Sequence, residues 1–305
     1  MLPAVRKCGF PPLAIQRSFA PLHPATGTRL ASPTVPPLAS LEAYLERIGL
    51  AGRADPGLVE IHRAHATSIA FENFDPFSGT PVSLELGDLE DKMVRRGRGG
   101  YCFEQNSLLA SALESLGGRE VSPMLARVRL GPEGSPRPLD HLLLRVTDRD
   151  GTTWLADVGF GGGGLLDPVP FEVETEADQS GWRYRLVEDG PELVLQVFQD
   201  GGWSDLYGFV PEPAPQIDIV VNNWFTATHP ESQFVNGIMA GLRSPERCST
   251  LFVNEQAVLI ERPVGGESTL TEVPLRDVPA LLAERFGIEG VVLGDEGRLV
   301  HGGDG

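Results

Sequence analysis

The sequence is poor in basic charge. Its 305 residues hold 25 Lys and Arg against 42 Asp and Glu, a formal net charge of −17, and only Lys7 and Lys92 are lysines. A surface of that sign repels a phosphate backbone, which argues against a nucleic-acid partner. Cysteine is scarce as well. Cys8, Cys102 and Cys248 are odd in number and far apart, so they make no disulfide framework and point to a reducing, cytoplasmic compartment. No apolar run approaches the roughly 18 residues of a membrane span, so no membrane partner is expected. The pair His62 and His65 has no further ligand at metal spacing, and no metal is expected. Apolar residues are not lacking. They make up 41% of the chain against 22% charged, enough for a packed core rather than disorder.

Residues 1–38 stand apart, with eight prolines, four basic residues (Arg6, Lys7, Arg17, Arg29) and no acid before Glu42. Such composition seldom packs and predicts a disordered extension; a transit peptide is the other reading. From Ser40, Leu41, Tyr44, Leu45 and Ile48 share a helical face that Gly49 stops. Asp55-Pro56 predicts the start of a second helix carrying Leu58, Ile61, His65 and Ile69. A loop is expected over Phe71-Glu72-Asn73-Phe74-Asp75-Pro76 and a short helix over 88–96. Arg98-Gly99-Gly100-Tyr101-Cys102-Phe103-Glu104 then opens a helix with Leu109, Ala112, Leu113 and Leu116 on one face, closed by Gly117-Gly118. Beyond it the texture is β, with strand-like runs near 121–130, 141–147, 153–158, 183–188, 193–198, 206–210, 217–221 and 257–262. Residues 275–287 return to helical spacing. Helices, then strands, then a late helix predict an α+β fold, with a helical N-terminal part and a β-barrel or sheet behind it.

Three residues could carry chemistry together. Cys102 follows two glycines and opens a helix, where the free N–H groups and partial positive charge favour a thiolate and could hold an oxyanion. His141 begins an apolar strand and could take the thiol proton. Asp157 sits inside an apolar strand, where an acid needs a partner, and could fix the His141 tautomer from an adjacent antiparallel strand. Taken singly, each has a plainer reading: a small buried thiol, a satisfied core histidine, an acid capping a turn. The run Val158 to Gly164 lacks the lysine and spacing of a phosphate loop, and flexibility explains Gly162 to Gly164 better. His229, at the end of Asn223-Trp224-Phe225-Thr226-Ala227-Thr228-His229-Pro230, suits a ligand-contacting loop or one that merely precedes a helix. Cys248 is expected to be structural.

Together these segments resemble the arylamine N-acetyltransferase family. The resemblance rests on Arg98 to Glu104, Asp140-His141, Asp157-Val158-Gly159-Phe160-Gly161, Phe71-Glu72-Asn73 and Asn223 to Pro230, in that family's Cys, His, Asp order, and spans about residues 40–290. It implies a papain-like or transglutaminase-like fold: a helical bundle over 39–120 carrying the nucleophile, a β-barrel over 121–225 and an α/β lid over 226–305. It implies ping-pong acetyl transfer from acetyl-CoA through a Cys102 thioester to an arylamine, arylhydrazine or N-hydroxyarylamine, in a monomer or homodimer. Cys102, His141 and Asp157 would be catalytic, Phe71, Phe160 and Phe209 would line the acceptor pocket, and Thr226, Thr228 and His229 would lie near CoA. The main alternative is an amide synthase closing a macrolactam from a polyketide thioester. A hydrolase and a non-catalytic binding protein are the others. The extension over 1–38 and the loop Gly131 to Pro136 depart from the family pattern, the loop bearing on access to the cleft.

Overall fold

The computed structural model describes residues 35–130, 138–294 and 298–302. Most of the 1–38 extension and all of the Gly131 to Pro136 loop lie outside these residues. Val35 and Leu38 do belong to them, and both pack on the helical core, so packing begins earlier than composition predicts.

Helices come first: α1 (Leu41–Arg47), α2 (Leu58–Ser68), a two-residue strand β1 (Phe71–Glu72), α3 (Phe74–Ser78), α4 (Leu86–Leu89) and α5 (Cys102–Leu116). The Ser40 side chain caps α1 by accepting the Ala43 N–H. The second helix starts at Leu58 behind Gly57, not at Asp55-Pro56, because Asp55 instead reaches Arg149 at 2.6 Å. The predicted loop at Phe71 is replaced by β1 and α3. The 88–96 helix is α4 running into a π-helical turn over Glu90–Arg95. Tyr44, Ile61, Leu89, Met93, Leu108, Leu109 and Leu113 form the helical core with almost no exposure.

Eight strands follow: β2 (Glu120–Val128), β3 (His141–Thr147), β4 (Thr153–Ala156), β5 (Val169–Pro170), β6 (Ala177–Gln179), β7 (Trp182–Asp189), β8 (Glu192–Gln199) and β9 (Gly202–Phe209). They form one antiparallel sheet in the order β5-β4-β3-β2-β9-β8-β7-β6. Just beyond β5, Val173 bridges to Leu186 of β7, so the sheet curls into a nearly closed barrel. Alternate residues such as Met124, Leu143, Tyr184, Leu195 and Tyr207 fill its interior.

The chain returns through α6 (Gln216–Thr228) and α7 (Gln233–Asn236) to β10 (Ile238–Arg243), β11 (Arg247–Val253), β12 (Ala257–Pro263) and β13 (Thr269–Val273). Residues 217–221, expected as a strand, are helical. The β-branched run is outweighed by a helical burial period, Ile219, Asn223, Thr226 and Ala227, started by Pro215. The 225/226 boundary implied by the resemblance falls inside this helix. Strand β1 pairs with β10, giving a five-stranded sheet β1-β10-β11-β12-β13, so the N-terminal part lends a strand to the C-terminal part. The late helical segment includes α8 (Val278–Leu281) and buries Val278, Leu282 and Phe286 under that sheet. A hairpin of β14 (Val291–Leu293) and β15 (Leu299–His301) ends the described chain. None of the described helices is long and apolar enough to cross a membrane.

Candidate active site

Cys102 is the first residue of α5 and is 2% exposed. The turn before it is held from below. Glu104 accepts the Tyr101 N–H at 3.0 Å and the Lys92 ammonium at 2.7 Å. Lys92 also reaches Asp75 at 2.6 Å, and Arg98 spans Glu72 at 2.9 Å and Asp75 at 2.7 Å. Burial disfavours the Lys92 charge, but Glu104, Glu72 and Asp75 hold it protonated. Burial also favours the Asp75 acid, and Lys92 and Arg98 keep it ionised. Burial pushes Glu104 up to about 6, against the pull of Lys92.

The His141 ring meets the Asp157 carboxylate through Nε2 at 2.7 Å. The predicted neighbouring antiparallel strands are β3 and β4, with Leu144 opposite Ala156. The Cys102 thiol lies beside His141 at the cavity wall, its sulfur 3.5 Å from the Asp140 carbonyl oxygen. Burial opposes the imidazolium, but the charge and hydrogen bond of Asp157, then those of Cys102, raise His141 to about 10. Asp157 is fully buried, which favours its neutral acid. His141, the Asn106 amide and the Gly159 N–H outweigh that and hold it below its ordinary range.

Several groups in this assembly carry no sequence signature. Asn106, one turn along α5, donates to Asp157 at 2.9 Å and to the Leu142 carbonyl at 2.7 Å, and accepts the Val158 N–H at 3.1 Å. His62 accepts the Asp157 N–H on Nε2 at 3.0 Å and binds the Leu166 carbonyl through Nδ1 at 3.0 Å. Burial keeps His62 below its usual value, so both ring nitrogens of a neutral imidazole are used. His65 binds the Tyr44 hydroxyl at 2.9 Å. His62 therefore supports Asp157 from behind, while His65 is held by Tyr44. Among the described residues no group of His, Cys, Asp and Glu could hold a metal ion. The Tyr207 ring covers His141 at 4.7 Å.

Two glycines are required by closeness. A Cβ on Gly159 would lie 2.7 Å from the Cys102 Cα and 2.8 Å from the Asn106 amide nitrogen. One on Gly162 would overlap the Thr250 hydroxyl. Gly162 is thus pressed against β11.

Cys102 and His141 open onto a cavity of about 290 Å³ whose walls include Phe71, Phe160, Leu206, Phe234 and Met239. Two of the three expected pocket phenylalanines, Phe71 and Phe160, are there. Phe209 is not on that wall; it is buried in the barrel, 6.1 Å from the Phe171 ring. Thr226, Thr228 and His229 are not on it either. The predicted loop around them is the last turn and cap of α6, because Asn223 turns inward to Tyr101. Thr226 is buried, Thr228 bonds the Trp224 carbonyl at 2.6 Å, and His229 stacks on Phe225 at 4.3 Å. Cys248 is a free, buried thiol on β11, as expected of a structural residue.

A thiol at a helix start, an imidazole and a buried carboxylate stand together beside an apolar cavity. An N-acetyltransferase family model matches residues 56–292. The arylamine N-acetyltransferase of Mycobacterium tuberculosis is 37% identical over 266 residues, 85% of this chain and 93% of that protein. The chain belongs to the arylamine N-acetyltransferase family. Its acetyl-transferring relatives extend to Salmonella typhimurium, whose arylamine N-acetyltransferase / N-hydroxyarylamine O-acetyltransferase is 32% identical over 81% of this chain and 88% of its own. The fold of this family member matches the Mycobacterium marinum enzyme solved in complex with CoA, with TM-score 0.77 and 37% identity over 82% of this chain and 93% of that one. The Mycobacterium tuberculosis structure matches with TM-score 0.76 and 36% identity, covering 82% and 94%.

Proposed function

We propose that the protein moves an acetyl group from acetyl-CoA through a Cys102 thioester to the nitrogen of an arylamine, arylhydrazine or N-hydroxyarylamine. The observation that carries this reading is the buried Cys102–His141–Asp157 chain at the wall of an apolar cavity. In the first half-reaction the Cys102 sulfur attacks the thioester carbonyl carbon, and the first-turn N–H groups of α5 stabilise the oxyanion. The carbon–sulfur bond to CoA breaks, and the imidazolium of His141 protonates the departing thiolate. In the second, the amine nitrogen attacks the acetyl carbon, His141 accepts its proton, and the Cys102 thiolate leaves. Asp157 keeps the other ring nitrogen engaged, so that Nδ1 faces the chemistry. The CoA complex of the Mycobacterium marinum relative supports CoA as the carrier. The sparse cysteines agree with a cytoplasmic setting. No observation favours the macrolactam-forming alternative.

Intact-mass spectrometry after brief mixing with acetyl-CoA, without amine, tests the proposal. Wild type gains one acetyl group and Cys102→Ala gains none; added arylamine then discharges the adduct. An unmodified wild-type protein, with no CoA released, overturns the reading.

A further inference from the structure

One wall of the cavity comes from the sheet β10-β11-β12, and it holds a feature to which the steps proposed above give no role. Arg243 on β10 pairs across to Cys248 on β11, which pairs across to Arg262 on β12. Residues directly opposite in antiparallel strands share a face, so the two arginines stand in one cross-strand row with a small Cys between them. Met239, Thr250 and Phe252, on the same face, line the cavity, as do both arginines.

Arg243 is only 4% exposed. One guanidinium nitrogen bonds the Tyr184 hydroxyl at 2.9 Å, and the group lies over the Trp182 ring at 4.4 Å. Its Nε and Nη1 have no hydrogen-bond partner. Among the described residues no carboxylate comes within ion-pair distance of Arg243 or of the half-buried Arg262. A buried cation without a counter-charge is costly, and here it borders a cavity whose other walls are largely apolar.

Resting on the acetyl-transfer reading, we infer that Arg243 and Arg262 select acceptors bearing both an aromatic amine and an anionic group, a carboxylate or sulfonate. The aromatic ring would lie among Phe160, Trp182 and Phe234. The amine would face the Cys102 thioester, while the acid would face the arginine row. Guanidinium donors match a carboxylate in geometry as well as charge.

CoA phosphates offer the same chemistry, and the donor separates the two sources. With p-nitrophenyl acetate as donor no phosphate is present. Acetylation of 4-aminobenzoate and of its neutral isostere 4-aminobenzamide is compared for wild type, Arg243→Met and Arg262→Gln. Wild type favours the acid in kcat/KM. Arg243→Met lowers the acid-to-amide ratio by about tenfold or more, the size of a lost charge-assisted bond, and Arg262→Gln, at the half-buried end of the row, lowers it less. A residue that only props the Tyr184 and Gly164 contact would slow both acceptors alike and leave the ratio unchanged, which overturns the inference. So does an arginine effect seen only as a raised KM for acetyl-CoA. Failure to form any acetyl-enzyme would instead overturn the reading on which the inference rests.

Discussion

Two buried cationic clusters flank the cavity-bearing half of the molecule, and they are built oppositely. Lys92 and Arg98 lie among Glu72, Asp75 and Glu104, with contacts of 2.6 to 3.9 Å. Arg243 is equally buried and faces an aromatic ring and a hydroxyl instead. The first cluster is closed, with its charges answered inside the protein before any substrate arrives. It sits directly beneath the helix start that carries Cys102, so its task is positional. The second is open. A protein that can satisfy five charged groups in one place has not failed to do so in another; the open cluster has a different use. The triad side resembles the closed cluster, since Asp157 is engaged by His141, Asn106 and Gly159.

Breaking the closed side costs most at Asp157. Asp157→Asn leaves the shape but supplies the wrong hydrogen-bonding atoms to His141, and acetyl transfer is expected to fall by about four orders of magnitude. Single-turnover acetylation measures it; a loss below tenfold would show that Asp157 does not orient the base. A pH signature goes with it. The folded-state value of His141 is raised, so its stabilisation is complete below the unfolded value near about 6.5. It is lost as pH rises through about 10. Wild type should lose stability to urea across that window, and Asp157→Asn should not.

The next largest effect is at Lys92. Lys92→Met leaves three buried acids with Arg98 alone, and breaking a buried pair from one side costs about 3–5 kcal/mol. Urea unfolding reads it directly. An unchanged midpoint would mean that the closed cluster is not closed by charge. Gly159→Ala is smaller. Its new methyl would press on the Cys102 backbone and Asn106, and overpacking of this kind costs about 1–3 kcal/mol. Activity should fall more than stability, because the displaced atoms are those that aim the sulfur.

The sequence made Cys102, His141 and Asp157 stand out as candidates because each stands where its chemistry is out of place: a thiol behind two glycines, a histidine and an acid in apolar runs. Six of the eight barrel strands were legible for a similar local reason, their alternation between turns; β5 and β6, two and three residues long, are too short to show a period. Other parts depend on long-range pairing. Asn106 is one polar residue on a helix, and only the approach of β3 and β4 makes it the partner of Asp157. His62 had no assigned role in the sequence, and gains one only when the Leu166 carbonyl and the Asp157 N–H occupy both ring nitrogens. Ile217 to Val221 have β-branched chemistry but helical burial, because α6 must bring Asn223 to Tyr101. The arginine row is invisible in one dimension, since Arg243 and Arg262 become neighbours only through the register of three strands.

That row supplies the smallest stability effect and the sharpest contrast with Lys92. Arg243→Met removes a cation–π contact worth about 0.5–2 kcal/mol and one bond to Tyr184. Tyr184 keeps the Gly164 carbonyl at 2.9 Å, so its hydroxyl is not orphaned. Against that loss stands the relief of a buried charge with no counter-ion, and substitutions of that kind are often neutral or stabilising. The unfolding free energy should therefore change by no more than about 1 kcal/mol, where Lys92→Met loses several times as much. A loss as large as that of Lys92→Met would make Arg243 part of the scaffold. Ligand linkage sharpens the comparison without any turnover. A bound anion stabilises only the folded state, so 4-aminobenzoate should raise the melting temperature of wild type and not of Arg243→Met, and 4-aminobenzamide should treat the two alike.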